Sequence, residues 1–433
     1  MTLSDASLDP RDLRLARQGR ILAWGAWACA FIGLAALLFA LFLPLPALVS
    51  ILLFQHTGAP DIGLVTLAAL SLFNCVFFLG VRVGVVSREL WSPFLLGLMA
   101  VVNLVLLVTL GFTAGLVAVA FAAWAATGLW RERSSFRRNP MALRELRGRM
   151  RGGRAFLVIT VYVGLMSAFA LLLYAAYSTT AGYGSAAAGE TGRVLFIGIV
   201  GIELLLIIFI APASTAGAIS IEREHQTYDL LRATLLSAPT FVVGKLEGAL
   251  VFLFILLLAA IPLQSLAFLF GGVGEAEVVI AFVLLAVTAL ALGSIGIYFS
   301  AAHDRSLTAT VRAYVMVAVL MFALPLLGSL VLEVVNSLLI NPGSVTNQPA
   351  LESVLIYAGL LLTSLSPVTA ALNTQQLLVE RQTAFFWTDT LSSSGSTIPM
   401  LSPWIVYTII YLALAALLVM AAVRRTRQLR EPA

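Results

Sequence analysis

Residues 194–210 read VLFIGIVGIELLLIIFI, an apolar run with one charged side chain, Glu203. Apolar and polar residues do not alternate in it, so it does not predict a strand of a membrane barrel. A helix needs about 20 apolar residues to cross a bilayer, and small or apolar residues extend this run past Pro212. Because only helices and closed barrels satisfy their backbone in lipid, and because comparable runs recur along the chain, the sequence predicts an all-α polytopic membrane protein.

The composition supports this class and excludes others. The chain has 433 residues, of which 61% are hydrophobic and 11% charged, against about 45–50% and about 25% in soluble domains. These values exclude a soluble globular protein, a disordered chain and a nucleic-acid binder. The two cysteines, Cys29 and Cys75, lie in apolar runs and form neither a disulfide framework nor a metal site. We therefore expect no bound metal and no nucleic-acid partner.

The apolar runs predict about ten transmembrane helices. Four precede a charged segment at 131–154 and six follow it. The predicted spans lie near 21–43, 62–83, 91–111, 112–130, 155–177, 193–218, 241–270, 277–300, 313–338 and 403–423. A further apolar stretch, Ser353 to Leu372, is broken by Pro367, and the charges decide whether it crosses.

One topology places nearly all lysine and arginine residues on the same side of the membrane. If the N-terminus is cytoplasmic and 353–372 does not cross, all 26 except Arg193 and Arg381 fall on the cytoplasmic side, as the positive-inside rule requires. A full crossing by 353–372 would place the Arg424–Arg430 cluster outside. We therefore predict an outer re-entrant element at 353–372, cytoplasmic N- and C-termini, and a multi-pass location in the plasma membrane.

The charged segment divides the chain into an N-terminal four-span region (1–130), an interface segment (131–154) and a six-helix region (155–433). Within it, Asn139 is a good N-cap residue and Pro140 suits the first helical turn. Glu145 can pair with Arg149, while Arg144 and Arg147 lie off the apolar stripe. This pattern predicts a basic amphipathic helix on the cytoplasmic membrane face, in contact with anionic lipid. It can be a simple anchor, or it can also dock a partner.

A second amphipathic segment lies in the loop 219–240, where residues 222–239 read EREHQTYDLLRATLLSAP. Thr227 can cap a short helix, and Asp229 in its first turn complements the helix dipole. Leu231 and Leu235 share one face. Such a helix between two spans suits a cleft on a partner protein, although cytoplasmic loops of unrelated transporters can share this pattern.

The residue order in this loop resembles the permeases of type-2 ABC exporters, which carry an E-R-E-x-x-T-x-[DE]-x-L run, a leucine-serine-proline element and a Gly-Lys. The matching residues are Glu222, Arg223, Glu224, Thr227, Asp229, Leu231, Leu236, Ser237, Pro239, Gly244 and Lys245. Asn139-Pro140 with Arg144, Glu145 and Arg147 is similar to the family's entry helix. The resemblance covers roughly 139–425, and Leu235 stands where the family often has proline.

The resemblance implies the permease subunit of an exporter, with a six-helix bundle and an outer re-entrant element. A separate ABC ATPase would supply ATP hydrolysis through the coupling loop 219–240, and a second permease copy or homologue would complete the pathway. The chain itself contains no G-x-x-x-x-G-K-[ST] motif, so we expect neither enzymatic activity nor a cofactor of its own. In this scheme Glu222 and Glu224 would face the partner.

Glu203 supports a different possibility. An acid in mid-membrane costs about 2.5–3.5 kcal/mol and must face the bundle or a wet cavity. It can line the transport pathway or serve as a structural hydrogen-bonding group. The alternative function is therefore a stand-alone secondary transporter that uses Glu203 for ion coupling.

Overall fold

The computed structural model describes residues 10–42, 60–132, 136, 139–150, 153–178, 185–226, 237–339, 349–390 and 397–428. Helices dominate these residues. In chain order they are α1 (Pro10–Phe42), α2 (Pro60–Val86), α3 (Trp91–Leu110), α4 (Gly115–Arg131), α5 (Pro140–Met150), α6 (Gly153–Ser178), α7 (Ser185–Ala216), α8 (Ser220–Glu224), α9 (Ala238–Leu269), α10 (Glu275–Ala302), α11 (Ser306–Ala318), α12 (Leu324–Leu339), α13 (Pro349–Thr363), α14 (Pro367–Glu380) and α15 (Pro403–Gln428). A π-helical turn, Val319–Ala323, joins α11 to α12, and strands β1 (Phe386–Thr390) and β2 (Thr397–Leu401) precede α15.

Within the described residues, nine helices are long and apolar enough to cross a membrane. They span Leu13–Leu38, Leu64–Val86, Trp91–Thr109, Ala155–Tyr177, Ala188–Glu224, Ala238–Leu269, Glu275–Ala302, Ser306–Leu330 and Pro403–Arg427. The predicted class, an all-α polytopic membrane protein, is confirmed.

The predicted span near 112–130 is shorter than expected. Its helix, α4, has 17 residues, which at 1.5 Å per residue reaches about 25 Å and falls short of the roughly 30 Å hydrocarbon core. The preceding helix α3 ends at Gly111, which has a left-handed φ of 67°, and α4 begins only at Gly115. Among the described residues, a tenth helix of sufficient length is found only when the bent pair α13–α14 is counted as one span.

The segment 353–372 does not form one straight crossing helix. The axes of Glu352–Thr363 and Pro367–Glu380 differ by 117°. Pro367 opens α14, and a proline at that position can neither donate a backbone hydrogen bond nor continue the preceding helix. Both a broken span and a re-entrant loop have this geometry.

The chain folds into two compact units that do not follow chain order. The first contains 1–138, 322–366 and 381–420, and the second contains 139–321, 367–380 and 421–433. Residues 322–366 and 381–420 thus group with the N-terminal helices, while 367–380 and 421–433 group with the second unit.

The core of the first unit draws one fully buried residue from each of its first four helices. Leu22, Phe78, Leu96 and Ala125 are each at most 2% exposed. The amides of Asn74 and Asn103 bind each other reciprocally at 2.9 Å, which ties α2 to α3 and satisfies both polar groups inside an apolar bundle.

A two-stranded antiparallel hairpin belongs to the same unit and has no counterpart in the sequence-based prediction. Trp387 in β1 lies opposite Met400 in β2. Tyr357 donates its hydroxyl to the Pro399 carbonyl at 2.6 Å, and the Trp404 indole donates to the Ala384 carbonyl at 2.7 Å. These side-chain bonds anchor the hairpin to α13 and α15.

The second unit is built around α7, α9 and α10. Leu292 and Ile295 of α10 are fully buried. A methyl group added to Gly296 of α10 would clash with Thr215 of α7, so this glycine permits the close helix packing that small residues provide in membranes.

Candidate functional site

The E-R-E segment forms α8, a single turn that follows α7 directly. Ser300 near the end of α10 holds the start of this turn, because its hydroxyl oxygen accepts hydrogen bonds from the backbone N–H groups of Ile219 and Ser220 at 2.8 and 3.0 Å. Ser220 and Ser300 are fully buried. The three charged side chains therefore project from a fixed backbone, and each binds a different part of the second unit. We call Glu145, Glu222, Arg223, Glu224 and Lys245 the loop junction.

Lys245 is the centre of the loop junction and the only lysine in the chain. Its ammonium Nζ lies 2.5 Å from Glu145 Oε1 and 3.0 Å from Glu222 Oε1. The lysine side chain is 6% exposed, whereas those of Glu145 and Glu222 are 25% and 17% exposed. One cation thus joins α5, α8 and α9, and the group carries one net negative charge.

Two glycines on α9 allow α5 to approach closely enough for these bonds. A methyl group on Gly244 would lie 2.7 Å from the Asn139 amide, and one on Gly248 would clash with the Glu145 side chain. Gly244-Lys245 therefore creates space for the interface helix and supplies the cation that binds it.

The interface helix α5 begins as predicted. The Asn139 side-chain oxygen accepts from the Met141 backbone N–H at 3.0 Å, which is an N-cap bond. The same side chain donates to the Thr240 carbonyl at 2.8 Å, so it also fixes α5 to the first turn of α9. Pro140 occupies the first helical position, as the sequence indicated.

The inward and outward faces of α5 differ in chemistry. Met141 is buried, Glu145 binds Lys245, and Arg149 donates to the Ser214 carbonyl at 3.0 Å. Burial lowers the pKa of the Arg149 guanidinium, an effect that neighbouring Glu145 opposes. Arg144 and Arg147 are exposed on the other face, where they line an open hollow of about 420 Å³.

Arg223 binds the end of α10. Its guanidinium donates to the Ala301 carbonyl at 3.0 Å, to the His303 carbonyl at 3.5 Å and to the Asp304 carboxylate at 3.1 Å. The last carbonyls of a helix lack intrahelical partners and carry partial negative charge. A cation at this position satisfies them and orients α8 against α10.

Glu224 binds the start of α11 with both carboxylate oxygens. Oε1 accepts from the Ser306 backbone N–H at 2.9 Å, and Oε2 accepts from the Ser306 hydroxyl at 2.7 Å. A carboxylate at a helix N-terminus complements the helix dipole. The E-R-E turn is thus attached to α9, α10 and α11 by three consecutive residues.

The structure gives both acids of this motif partners within the chain. Glu222 binds Lys245 and Glu224 binds Ser306, and the side chain of Glu224 is exposed, so the expected contact of these acids with a partner protein stays a prediction. These carboxylates hold the loop in place. The remaining coupling residues, Thr227, Asp229, Leu231 and Leu235, lie outside the described residues, so their proposed contact with a partner stays a prediction.

Glu203 lies apart from the loop junction and faces the bundle, as its burial cost requires. It is 1% exposed, and its Oε2 accepts from the Gln264 amide at 2.8 Å. Its Oε1 is buried and has no hydrogen-bond partner among the described residues.

The sequence contained part of the signal for this site. Gly244-Lys245 lies at the start of the predicted span 241–270, but nothing in residue spacing indicated that Glu145, 100 positions earlier in the chain, would bind the lysine. No protein-family model matches the chain, and no curated protein matches it.

Proposed function

We propose that the chain is the permease subunit of a type-2 ABC exporter. The observation that supports this most strongly is the attachment of the E-R-E turn to α9, α10 and α11 through Lys245, Arg223 and Glu224. A motor protein that pushed on the adjoining loop 227–236 would act on three helices together, because the base of that loop is bonded to all of them.

The resistance of the loop junction to separation rests mainly on the burial of Lys245. Removing one partner from a buried charge pair costs about 3–5 kcal/mol, and Lys245 is 6% exposed; Arg223 is also buried, but its acidic partner Asp304 is exposed. A displacement of the loop is therefore transmitted to the helix ends at lower cost than it breaks the loop junction. ATP binding and hydrolysis belong to a separate ABC ATPase subunit in this proposal.

The finer topology belongs to the same proposal. The distribution of lysine and arginine supports cytoplasmic N- and C-termini, ten spans in a four-plus-six arrangement, an outer re-entrant element at 353–372 and a plasma-membrane location. A second permease copy or homologue completes the transport pathway. Arg144 and Arg147, exposed on α5, suit anionic lipid at the cytoplasmic face.

The test is co-expression of the full chain with a candidate ABC ATPase and purification through a tag on the chain. The ATPase should co-purify, and the complex should hydrolyse ATP while the chain alone does not. ATP turnover by the chain alone, once contaminants are removed, would contradict the proposal. Glu333→Lys, a charge reversal at an exposed residue outside the loop junction, is the control variant and should leave the complex intact.

A second candidate function, ion-driven transport without an ATPase, is favoured by one observation, the acidic side chain of Glu203 enclosed in the bundle. The two functions differ in their energy source. Uptake or efflux by proteoliposomes that follows an imposed ion gradient, and that is indifferent to ATP and to the ATPase subunit, would support ion-driven transport over the exporter.

A further inference from the structure

Glu203 is buried on α7, and its neighbour Ile202 packs against a buried apolar cluster. Tyr162 on α6 packs in a cluster with Met166 and with Ile199 of α7. Gln264 on α9 is 3% exposed and donates the single hydrogen bond that Glu203 receives from the described residues. The carboxyl therefore lies in an enclosed site formed by three helices of the second unit.

An ionised carboxylate is poorly accommodated there. It has about four acceptor positions, and the site fills one of them with an uncharged donor. An unpaired charge in an apolar interior is costly enough that such a group takes up a proton instead. Oε2 accepts from the Gln264 amide and Oε1 has no partner among the described residues, so Oε1 is the oxygen left available to bind a proton.

We propose that Glu203 is a proton-binding site in the membrane interior, and that its proton leaves when α7 and α9 separate enough for water to reach Oε1. Water removes the desolvation cost that keeps the carboxyl neutral. The packed arrangement thus holds one proton more than the hydrated arrangement at neutral pH. Linkage then requires acidification to favour packing and alkalinity to favour opening.

Titratable groups on three helices packed against α7 have partners other than Glu203. On α11, Tyr314 donates its hydroxyl to the Phe209 carbonyl of α7, and Arg312 binds His303. Glu277 on α10 accepts from the Gly274 backbone N–H and from Gln375. Lys245 on α9 binds Glu145 and Glu222 at the loop junction. Tyr162 is the titratable side chain of the cluster against which Ile202 packs. No cation among the described residues is within ion-pairing distance of Glu203, so the proton is its counter-charge.

The protonation state can be read directly by infrared spectroscopy of the full chain in lipid nanodiscs. The wild type minus Glu203→Gln difference spectrum should contain the carbonyl band of a protonated carboxylic acid at neutral pH. That band should shift in heavy water and be lost in alkali. In the control variant Glu190→Gln, which changes an exposed acid, the spectrum of the protein should keep this band. Carboxylate bands in its place at neutral pH would overturn the proposal.

Chemical modification of the wild type gives a second readout that does not depend on a variant folding. An apolar carbodiimide should modify Glu203 and spare Glu190, whereas a water-soluble carbodiimide with an added amine should do the reverse, as mapped by peptide mass spectrometry. A Glu203 that the apolar reagent leaves unmodified, or that the water-soluble reagent modifies as readily as Glu190, contradicts an enclosed, protonated acid.

The coupling of proton release to opening is tested with Ala260→Cys, at a fully buried position of the same cluster. The reactivity of this cysteine toward a water-soluble thiol reagent should rise with pH more steeply when Glu203 is present than in the Glu203→Gln background. Because the thiol itself ionises in both backgrounds, the difference between the two pH profiles reports Glu203. Equal pH dependence in both backgrounds would refute the coupling. None of these measurements uses an ATPase, so their failure would leave the exporter proposal standing.

Discussion

Replacement of Lys245 by methionine should destabilise the second unit strongly, because the two acids that bind it would remain. Methionine keeps most of the side-chain length but removes the ammonium that lies 2.5 Å from Glu145 and 3.0 Å from Glu222. Removing one partner from a buried pair costs about 3–5 kcal/mol. Since these carboxylates are 25% and 17% exposed and retain some access to water, we expect about 2–4 kcal/mol.

The assay is equilibrium unfolding of the purified chain in mixed micelles, followed by circular dichroism. Lys245→Arg keeps the positive charge and should recover most of the loss, and Lys245→Met combined with Glu145→Gln and Glu222→Gln should be more stable than Lys245→Met alone. If the free energy of unfolding of Lys245→Met lies within about 0.5 kcal/mol of the wild-type value, as for a typical surface change, Lys245 does not form the charge pairs of the loop junction.

Three further predictions concern packing and topology. Gly248→Ala should loosen α5 and cost about 1–3 kcal/mol through overpacking against Glu145, whereas Gly164→Ala, where an added methyl meets no atom within 4 Å, should be neutral or stabilising in the same unfolding assay. Asn74→Leu should cost about 0.5–2 kcal/mol because the Asn103 side-chain oxygen loses its donor, while the Asn103 amide nitrogen keeps its bond to the Met99 carbonyl. The Asn74→Leu, Asn103→Leu pair should recover part of that loss, and additive losses would refute the reciprocal bond. Cysteine at Ser185 should react with an impermeant thiol reagent added to intact cells, and cysteine at Ser237 should not; labelling at Ser237 would reverse the proposed topology.

The sequence predicted the fold class because membrane helices are encoded by length and hydropathy, which local composition shows directly. It also predicted the cap at Asn139 and the enclosure of Glu203, since both follow from local rules about helix ends and buried charge. The break near Pro367 was predicted from a single residue type with a fixed backbone preference.

The sequence could not predict contacts between distant segments. Glu145 pairs with Lys245 rather than with Arg149, because the close approach of α5 to α9 depends on Gly244 and Gly248 together. Glu222 and Glu224 were expected to contact a partner protein, and their partners within the chain become visible only when α8, α9 and α11 are placed side by side. The hairpin of β1 and β2 was missed because its strands are five residues each and lie in a segment without a strong alternating pattern.

The central claim, that this chain couples to an ABC ATPase through the loop after α8, is tested most directly by charging the apolar face of that loop. The change is Leu231→Asp with Leu235→Asp, measured as ATPase recovered with the tagged chain and as ATP hydrolysed by the recovered complex. The account predicts that the double variant folds in the membrane but loses the ATPase, while Glu333→Lys retains it. Recovery of the same amount of ATPase with the double variant, at the same rate of hydrolysis, would contradict the account.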